Sequence, residues 1–197
     1  MAKGKPVKKA TAAPGQIRVI GGQWRGRKLP VLNSEGLRPT SDRTKETLFN
    51  WLMFDIREAL CLDLFAGSGS LGFEALSRGA AEVVLIEKDA NVAKQLTQNL
   101  ASLPAAPGRV IHQDALAFLQ NPGRAFEVVF LDPPFHQQLL AKACQLLETN
   151  GWLSEHAKIY IEHEQAADLS LPTNWQLLKN KQAGQVSYQL YQREAQL

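Results

Sequence analysis

The sequence predicts an α/β protein built on a doubly wound, largely parallel β-sheet, and three observations support this fold class. Strand-like apolar runs alternate with amphipathic stretches of helical length from Cys61 onward. Glycine and proline residues separate these segments at most of the joins. A glycine-rich turn, Gly67 to Gly69, follows the first run and opens a helical stretch. Strands that alternate with helices form βαβ units, in which the strands lie parallel.

The repeating elements can be located along the chain from their hydrophobic pattern. Strands are predicted at 61–65, 82–87, 109–113, 126–131 and 158–164. Helices are predicted near 70–78, 90–101, 115–120 and 137–148. The C-terminal stretch differs, because two strand-like runs flank Ala183 and Gly184 with no helix between them. The sheet is therefore expected to gain an antiparallel C-terminal strand.

An extension with its own elements precedes this sheet. Two short β-like runs flank Gly21-Gly22, a turn dipeptide that suits a β-hairpin. A helix follows, with Pro39 ahead of it and an N-cap from Thr40, Ser41 or Asp42. The predicted organisation has three parts: a disordered basic tail at 1–15, an extension with a hairpin and a helix at 16–58, and an α/β domain at 59–197.

Charge is distributed unevenly along the 197 residues. Residues 1–45 carry 11 Lys and Arg against two acids, a net charge of +9, and the remaining 152 residues carry −6. A basic arm on an acidic globule is typical of a protein that meets a polyanionic partner with one end. The lysines of the tail also fit a terminus that serves only solubility.

Composition argues against several other classes of protein. Two cysteines are too few for a disulfide scaffold, which favours a reducing compartment, and they lack metal-ligand spacing. No apolar run reaches the roughly 18 residues that span a bilayer, and the basic N-terminus lacks the apolar stretch of a secretory signal. We expect a cytoplasmic, monomeric protein with no metal and no membrane partner.

The glycine-rich turn predicts a nucleoside cofactor. Gly67, Gly69 and Gly72 satisfy G-x-G-x-x-G between a strand and a helix, and Glu87 ends the next strand, where a carboxylate can bind both ribose hydroxyls. Asp63, just before the turn, would repel a pyrophosphate but attract the sulfonium and ammonium of S-adenosylmethionine. Asp114 suits either an adenine amine or a helix N-cap.

The segment Asp132-Pro133-Pro134-Phe135 ends the fourth predicted strand of the domain. The two prolines would stop a strand in any protein. In a doubly wound sheet, however, the fourth strand lies beside the first, so this segment would face the same crevice as the glycine turn. The Asp132 carboxylate and the Pro133 carbonyl could bind the hydrogens of an exocyclic base amine. Pro134 restricts residue 133, and Phe135 offers a ring for stacking.

Taken together, these motifs resemble class I S-adenosylmethionine-dependent methyltransferases that act on nucleobase amines. "RVIGGQWRGRKLP", "RPTSDRTKETLFNWL" and "AGQVSYQLYQRE" narrow the resemblance to the RsmD family, bacterial 16S ribosomal RNA guanine-N2 methyltransferases. The resemblance implies a Rossmann-like, seven-stranded sheet, a protruding N-terminal hairpin that contacts ribosomal RNA, and a small ribosomal subunit as partner. It covers the chain from about Gln16 to the C-terminus.

Carried over by position, the resemblance assigns roles to three groups of residues. The cofactor would be bound by Asp63, Phe65, Gly67, Ser68, Gly69, Leu71, Glu87, Lys88, Asp114 and Ala115. The target base would be held by Asp132, Pro133, Pro134 and Phe135. RNA would be contacted by Arg18, Trp24, Arg25, Arg27, Lys28, Arg38 and Arg43, although Trp24 also fits a small local core. Two alternatives remain open: an adenine-N6 methyltransferase, and a noncatalytic RNA-binding assembly factor.

Overall fold

A computed structural model describes residues 15–32, 40–134, 139–165 and 169–195. These described residues form nine strands and five α-helices. The strands are β1 (Gly15–Arg18), β2 (Lys28–Val31), β3 (Leu60–Asp63), β4 (Glu82–Glu87), β5 (Gly108–His112), β6 (Phe126–Leu131), β7 (Leu153–Glu164), β8 (Trp175–Ala183) and β9 (Val186–Arg193). The helices are α1 (Asp42–Trp51), α2 (Ser70–Ser77), α3 (Ala90–Ala101), α4 (Ala115–Leu119) and α5 (Leu139–Thr149).

Seven strands form one sheet in the order β5-β4-β3-β6-β7-β9-β8. Strands β3 to β7 pair in parallel, whereas β9 lies antiparallel between β7 and β8. This arrangement confirms the doubly wound fold class and the antiparallel C-terminal strand. It also confirms that the fourth strand of the domain, β6, lies beside the first, β3. Strand β7 begins five residues earlier than the pattern predicted and pairs with β6 through an irregular register.

Each face of the sheet is covered by its own hydrophobic core, because side chains alternate between the faces along every strand. Cys61 and Val83 point to the face that packs against α1, α2, α3 and the N-terminal hairpin. Leu62 and Val84 point to the opposite face, which α4 and α5 cover. The N-cap of α1 is Ser41, whose hydroxyl accepts a hydrogen bond from the Thr44 amide at 3.1 Å.

The N-terminal hairpin differs from the prediction at its turn. Strands β1 and β2 pair antiparallel, but nine residues (19–27) connect them, so Gly21-Gly22 is not a two-residue hairpin turn. A 3-10 turn (Gly22–Trp24) lies in this connection and packs against the end of α2. The Ser77 hydroxyl donates to the Gly21 carbonyl at 2.6 Å and accepts from the Trp24 amide at 3.0 Å. The dipeptide therefore docks the hairpin instead of reversing the chain.

The same docking buries the aromatic ring that the sequence suggested for RNA stacking. Trp24 is 8% exposed and belongs to the core shared with α2 and α3. This burial favours the alternative of a ring packed in a hydrophobic core, and contact between Trp24 and RNA stays a prediction. A buried carboxylate adds to the attachment, since Glu74 accepts from the Ile20 amide at 2.9 Å and from Arg78 at 2.8 Å. The described strands of the hairpin thus share one core with the sheet.

We expect Gly22→Ala to destabilise the protein far more than Gly26→Ala. Both glycines have a positive φ, +72° and +86°, so both substitutions incur the backbone strain of about 1 kcal/mol. A Cβ at Gly22 would also lie 1.9 Å from the Ser77 carbonyl oxygen, whereas one at Gly26 would meet no atom within 4 Å. Urea unfolding should show an additional loss of about 2–3 kcal/mol for Gly22→Ala. Equal losses in the two variants would contradict the docking role.

Candidate active site

The carboxyl ends of β3, β4, β5 and β6 lie at one edge of the sheet, because these strands are parallel. The register pairs Asp63 with Phe130 and Glu87 with His112. Asp132 follows directly after β6. The structure therefore brings the predicted cofactor-binding and base-binding segments to the same edge, as ligand sites in doubly wound sheets require.

The loop after β3 is shaped by its glycines and by Asp63. Gly69 has φ +77°, and a Cβ there would lie 2.5 Å from the Phe73 ring and 2.7 Å from Leu96. Asp63 is 2% exposed and accepts a hydrogen bond from the Gly72 amide at 2.9 Å. Burial, together with the nearby charge of Glu87, raises the pKa of Asp63 to about 7, although the Gly72 hydrogen bond lowers it.

Glu87 connects the end of β4 to this loop. Its Oε2 atom accepts a hydrogen bond from the Gly67 amide at 3.0 Å, and its Oε1 atom accepts one from the Asp89 amide at 2.7 Å. The carboxylate is half-buried and held in a fixed position by two backbone donors. Such an arrangement preorganises the carboxylate as a hydrogen-bond acceptor, and its role in binding a ribose stays a prediction.

The predicted adenine-binding residues lie at the start of α4. Asp114 caps this helix, because its Oδ1 atom accepts from the Ala117 amide at 3.0 Å. The capping interpretation is therefore correct, and binding of an adenine amine by the same side chain stays a prediction. Ala115 is buried. Lys88 directly follows β4, and its carbonyl oxygen lies 3.0 Å from the Nε2 atom of His112.

The segment after β6 carries a carboxylate in an acidic environment. Asp132 is half-buried, Pro133 is buried and Pro134 is exposed, whereas Phe135 lies outside the described residues. Burial and then the charges of Glu162 and Asp63 raise the pKa of Asp132 well above its usual value. Three carboxyl groups therefore crowd this crevice, and a bound cation would stabilise negative charge on them. The electrostatics of the crevice favour a cationic ligand over a pyrophosphate.

The sequence interpretation missed three residues of this crevice. Glu162 and Tyr160 project from β7, and the Tyr160 hydroxyl donates to Glu162 at 3.2 Å. No local sequence pattern marks these two residues, because they reach the crevice only through the pairing of β7 with β6. Ser70 opens α2, and its Oγ atom is the buried side-chain polar atom without a hydrogen-bond partner among the residues described. This unpaired hydroxyl in the glycine loop is the feature expected where a polar ligand belongs.

The predicted RNA-contacting cations within the described residues are all exposed, and two of them also bind to other parts of the fold. Arg18 forms an ion pair with Asp42, with Nε 3.0 Å from Oδ2, and Arg27 donates to the Ser102 carbonyl at 2.6 Å. Arg25, Lys28 and Arg43 are exposed, and Arg38 lies outside the described part of the chain. Within that part, no group of three or more His, Cys, Asp or Glu side chains could hold a metal ion, and no helix is long and apolar enough to cross a membrane.

These features define a class I methyltransferase fold. They are the strand order, the glycine loop with its buried Asp63, and the Asp-Pro-Pro segment beside that loop. Within that class, a family model described as "Conserved hypothetical protein 95" matches residues 17–192. The chain belongs to this family, the RsmD family.

Relatives and solved structures agree with this assignment. The chain is 58% identical to the ribosomal RNA small subunit methyltransferase D of Escherichia coli over 183 residues. The matched region covers 92% of this chain and 92% of that protein. It is also 58% identical over 184 residues to the protein of the same name from Haemophilus influenzae, covering 91% of this chain and 95% of that one. A solved structure from Escherichia coli, 57% identical, superposes with a TM-score of 0.86 over 92% of this chain and 100% of that chain.

Proposed function

We propose that this protein transfers a methyl group from S-adenosylmethionine to the exocyclic N2 of a guanine in 16S rRNA of the small ribosomal subunit. The observation that carries the proposal is the adjacency of β3 and β6, which sets an acidic cofactor loop beside Asp132 in one crevice. The names of the similar proteins support ribosomal RNA of the small subunit as the substrate. A cytoplasmic location and a monomeric state accord with this function.

The residues of the loop fit the cofactor. Asp63 offers a buried carboxylate to an ammonium group, and Glu87 offers two fixed oxygens to ribose hydroxyls. The unpaired Ser70 hydroxyl adds a polar group at the turn. When bound, S-adenosylmethionine supplies an electrophilic methyl group on a positively charged sulfur.

The residues after β6 fit the base amine. We infer that the Asp132 carboxylate and the Pro133 carbonyl accept its two hydrogens, which aims the nitrogen lone pair at the methyl group. The carboxylate also stabilises the positive charge that develops on nitrogen. Holding the reactants in line supplies much of the acceleration, because the amine is a weak nucleophile. Stacking of the base on Phe135 is part of the proposal.

Labelled S-adenosylmethionine tests this function most directly. It should be supplied with naked rRNA, with small subunits that lack the modification, and with large subunits. Label is expected in 16S rRNA, and nucleoside analysis should identify N2-methylguanosine. N6-methyladenosine would instead indicate the adenine-specific alternative. Absence of label from every RNA would leave the noncatalytic assembly factor as the better interpretation.

We expect the affinity for S-adenosylmethionine to fall as the pH falls through about 7. The pKa of Asp63 is raised to about 7 by burial, so below that pH the carboxyl is protonated and loses its attraction for the ammonium. Well below pH 7, the Kd should rise by about tenfold per pH unit. Calorimetric titrations between pH 5.5 and 8.5 measure this. The Asp63→Asn variant should bind weakly at every pH, and an unchanged pH profile in that variant would assign the titration to another group.

A further inference from the structure

A cavity lies beside the proposed active site, between α1 and the C-terminal strands. Its volume is about 340 Å³. Helix α1 contributes Arg43, Thr44 and Trp51, and the sheet contributes Tyr160, Lys181 and Tyr188. The volume lies within the range that small-molecule sites occupy. The sequence interpretation singled out only Arg43 of these residues.

The cavity lies at the same end of the strands as Asp132 and on the same face of the sheet. Leu131 pairs with Ile161, so Asp132 lies next to Glu162, and Glu162 pairs with Tyr188, which pairs with Lys181. Side chains paired across a sheet point to the same face. These residues therefore form a row that runs from the proposed active site into the cavity. Three strand spacings, roughly 14 Å, separate β6 from β8.

Tyr160 links the two sites. Its ring lines the cavity, while its hydroxyl donates to Glu162 at 3.2 Å. Burial and then the charges of Glu162 and Asp132 raise the pKa of Tyr160, which agrees with its location beside the acidic crevice. A ligand in the cavity would thus be a close neighbour of a base held at Asp132, without occupying the same place.

The chemistry of the lining differs sharply from that of the acidic crevice. Arg43 and Lys181 are cationic, and none of the described lining residues is acidic. Lys181 is held in place by donating to the Thr47 hydroxyl at 3.0 Å. Trp51 and Tyr188 are half-buried rings. Cations beside partly exposed aromatic rings are the combination that binds single-stranded nucleic acid, since cations bind phosphates and rings stack on bases.

We propose that this cavity binds a nucleotide of the RNA strand that flanks the target base, with its base against Tyr188 or Trp51 and its phosphate at Lys181 and Arg43. The inference rests on the proposed function and extends it to a second RNA-binding site. Engaging a neighbouring nucleotide would hold the strand in register, so that the target base alone reaches Asp132.

Binding of small ribosomal subunits that lack the modification tests this proposal. Filter binding in the presence of S-adenosylhomocysteine gives the Kd of each variant, and steady-state assays give kcat and both KM values. Tyr188→Leu should raise the Kd for subunits about tenfold, whereas Tyr188→Phe, which keeps the ring, should retain most of the affinity. Lys181→Gln should raise the Kd and reduce the salt dependence of binding by about one ion.

A matched control for charge is Lys142→Gln, because Lys142 is exposed on α5, on the opposite face of the sheet. It should leave the Kd and its salt dependence unchanged, and the KM for the cofactor should stay constant in every variant. Circular dichroism checks that Tyr188→Leu is folded, and Lys181→Gln on the edge strand provides an independent test.

Three results would count against the inference. If wild-type protein is active but Tyr188→Leu and Lys181→Gln bind subunits as tightly as it does, the cavity does not contact RNA and the inference alone is overturned. If kcat falls while the Kd is unchanged, the cavity holds the target base itself and the assignment to a flanking nucleotide is wrong. If wild-type protein neither binds nor methylates small subunits, the proposed function fails and this inference fails with it.

Discussion

Replacing Asp132 by alanine is expected to lower kcat by about 10²–10³-fold while the affinity for S-adenosylmethionine changes little. The carboxylate lies at the end of β6, next to the cofactor loop but outside its hydrogen bonds. Its proposed partner is the amine of the base, so its loss should affect the transfer step.

Single-turnover transfer to small subunits measures the effect of the substitution on the transfer step. Calorimetric titration measures its effect on the affinity for the cofactor. Glu155→Gln is a suitable control, because Glu155 is an exposed acid on β7 away from the crevice. It should be as active as wild-type protein. Full activity of Asp132→Ala on small subunits would contradict the proposed role of Asp132.

The fold could be predicted from the sequence because it depends on local patterns. Apolar runs such as 82–87 and 126–131 became β4 and β6 with the predicted bounds, since fully buried parallel strands require continuous hydrophobic residues. The connection between β1 and β2 could not be predicted in the same way. Gly21-Gly22 has the composition of a tight turn, but its conformation is decided by contact with Ser77, more than 50 residues away.

The same distinction applies to the site: residues that a local motif marks were predicted, and residues that only strand pairing brings to the crevice were not. Asp63 and Glu87 were found because a sequence motif fixes their spacing from the glycine turn. Glu162 and Tyr160 were missed because nothing near them in sequence marks them. They reach the crevice only because β7 pairs with β6, which is a property of the folded sheet. Trp24 illustrates the converse, since its basic neighbours suggested an exposed ring and tertiary packing buried it.

Replacing Glu87 by glutamine is expected to weaken cofactor binding by about 10–100-fold and to leave kcat at saturating cofactor nearly unchanged. Both oxygens of Glu87 accept backbone amides, from Gly67 and from Asp89. A glutamine of the same size must turn its NH₂ group toward one of those donors, which loosens the loop. It also removes the charge that strengthens hydrogen bonds from ribose hydroxyls.

The matched control is Glu82→Gln, which changes the same residue type at the other end of the same strand. Glu82 pairs with Arg109 and Arg124 near the surface, so its loss should cost less than about 1 kcal/mol of stability and should leave the cofactor Kd unchanged. Calorimetry on both variants isolates the effect of position. Similar Kd values for Glu87→Gln and Glu82→Gln would contradict the proposed role of Glu87 in cofactor binding. A large difference, together with intact kcat, would separate cofactor binding by β4 from the chemistry at β6.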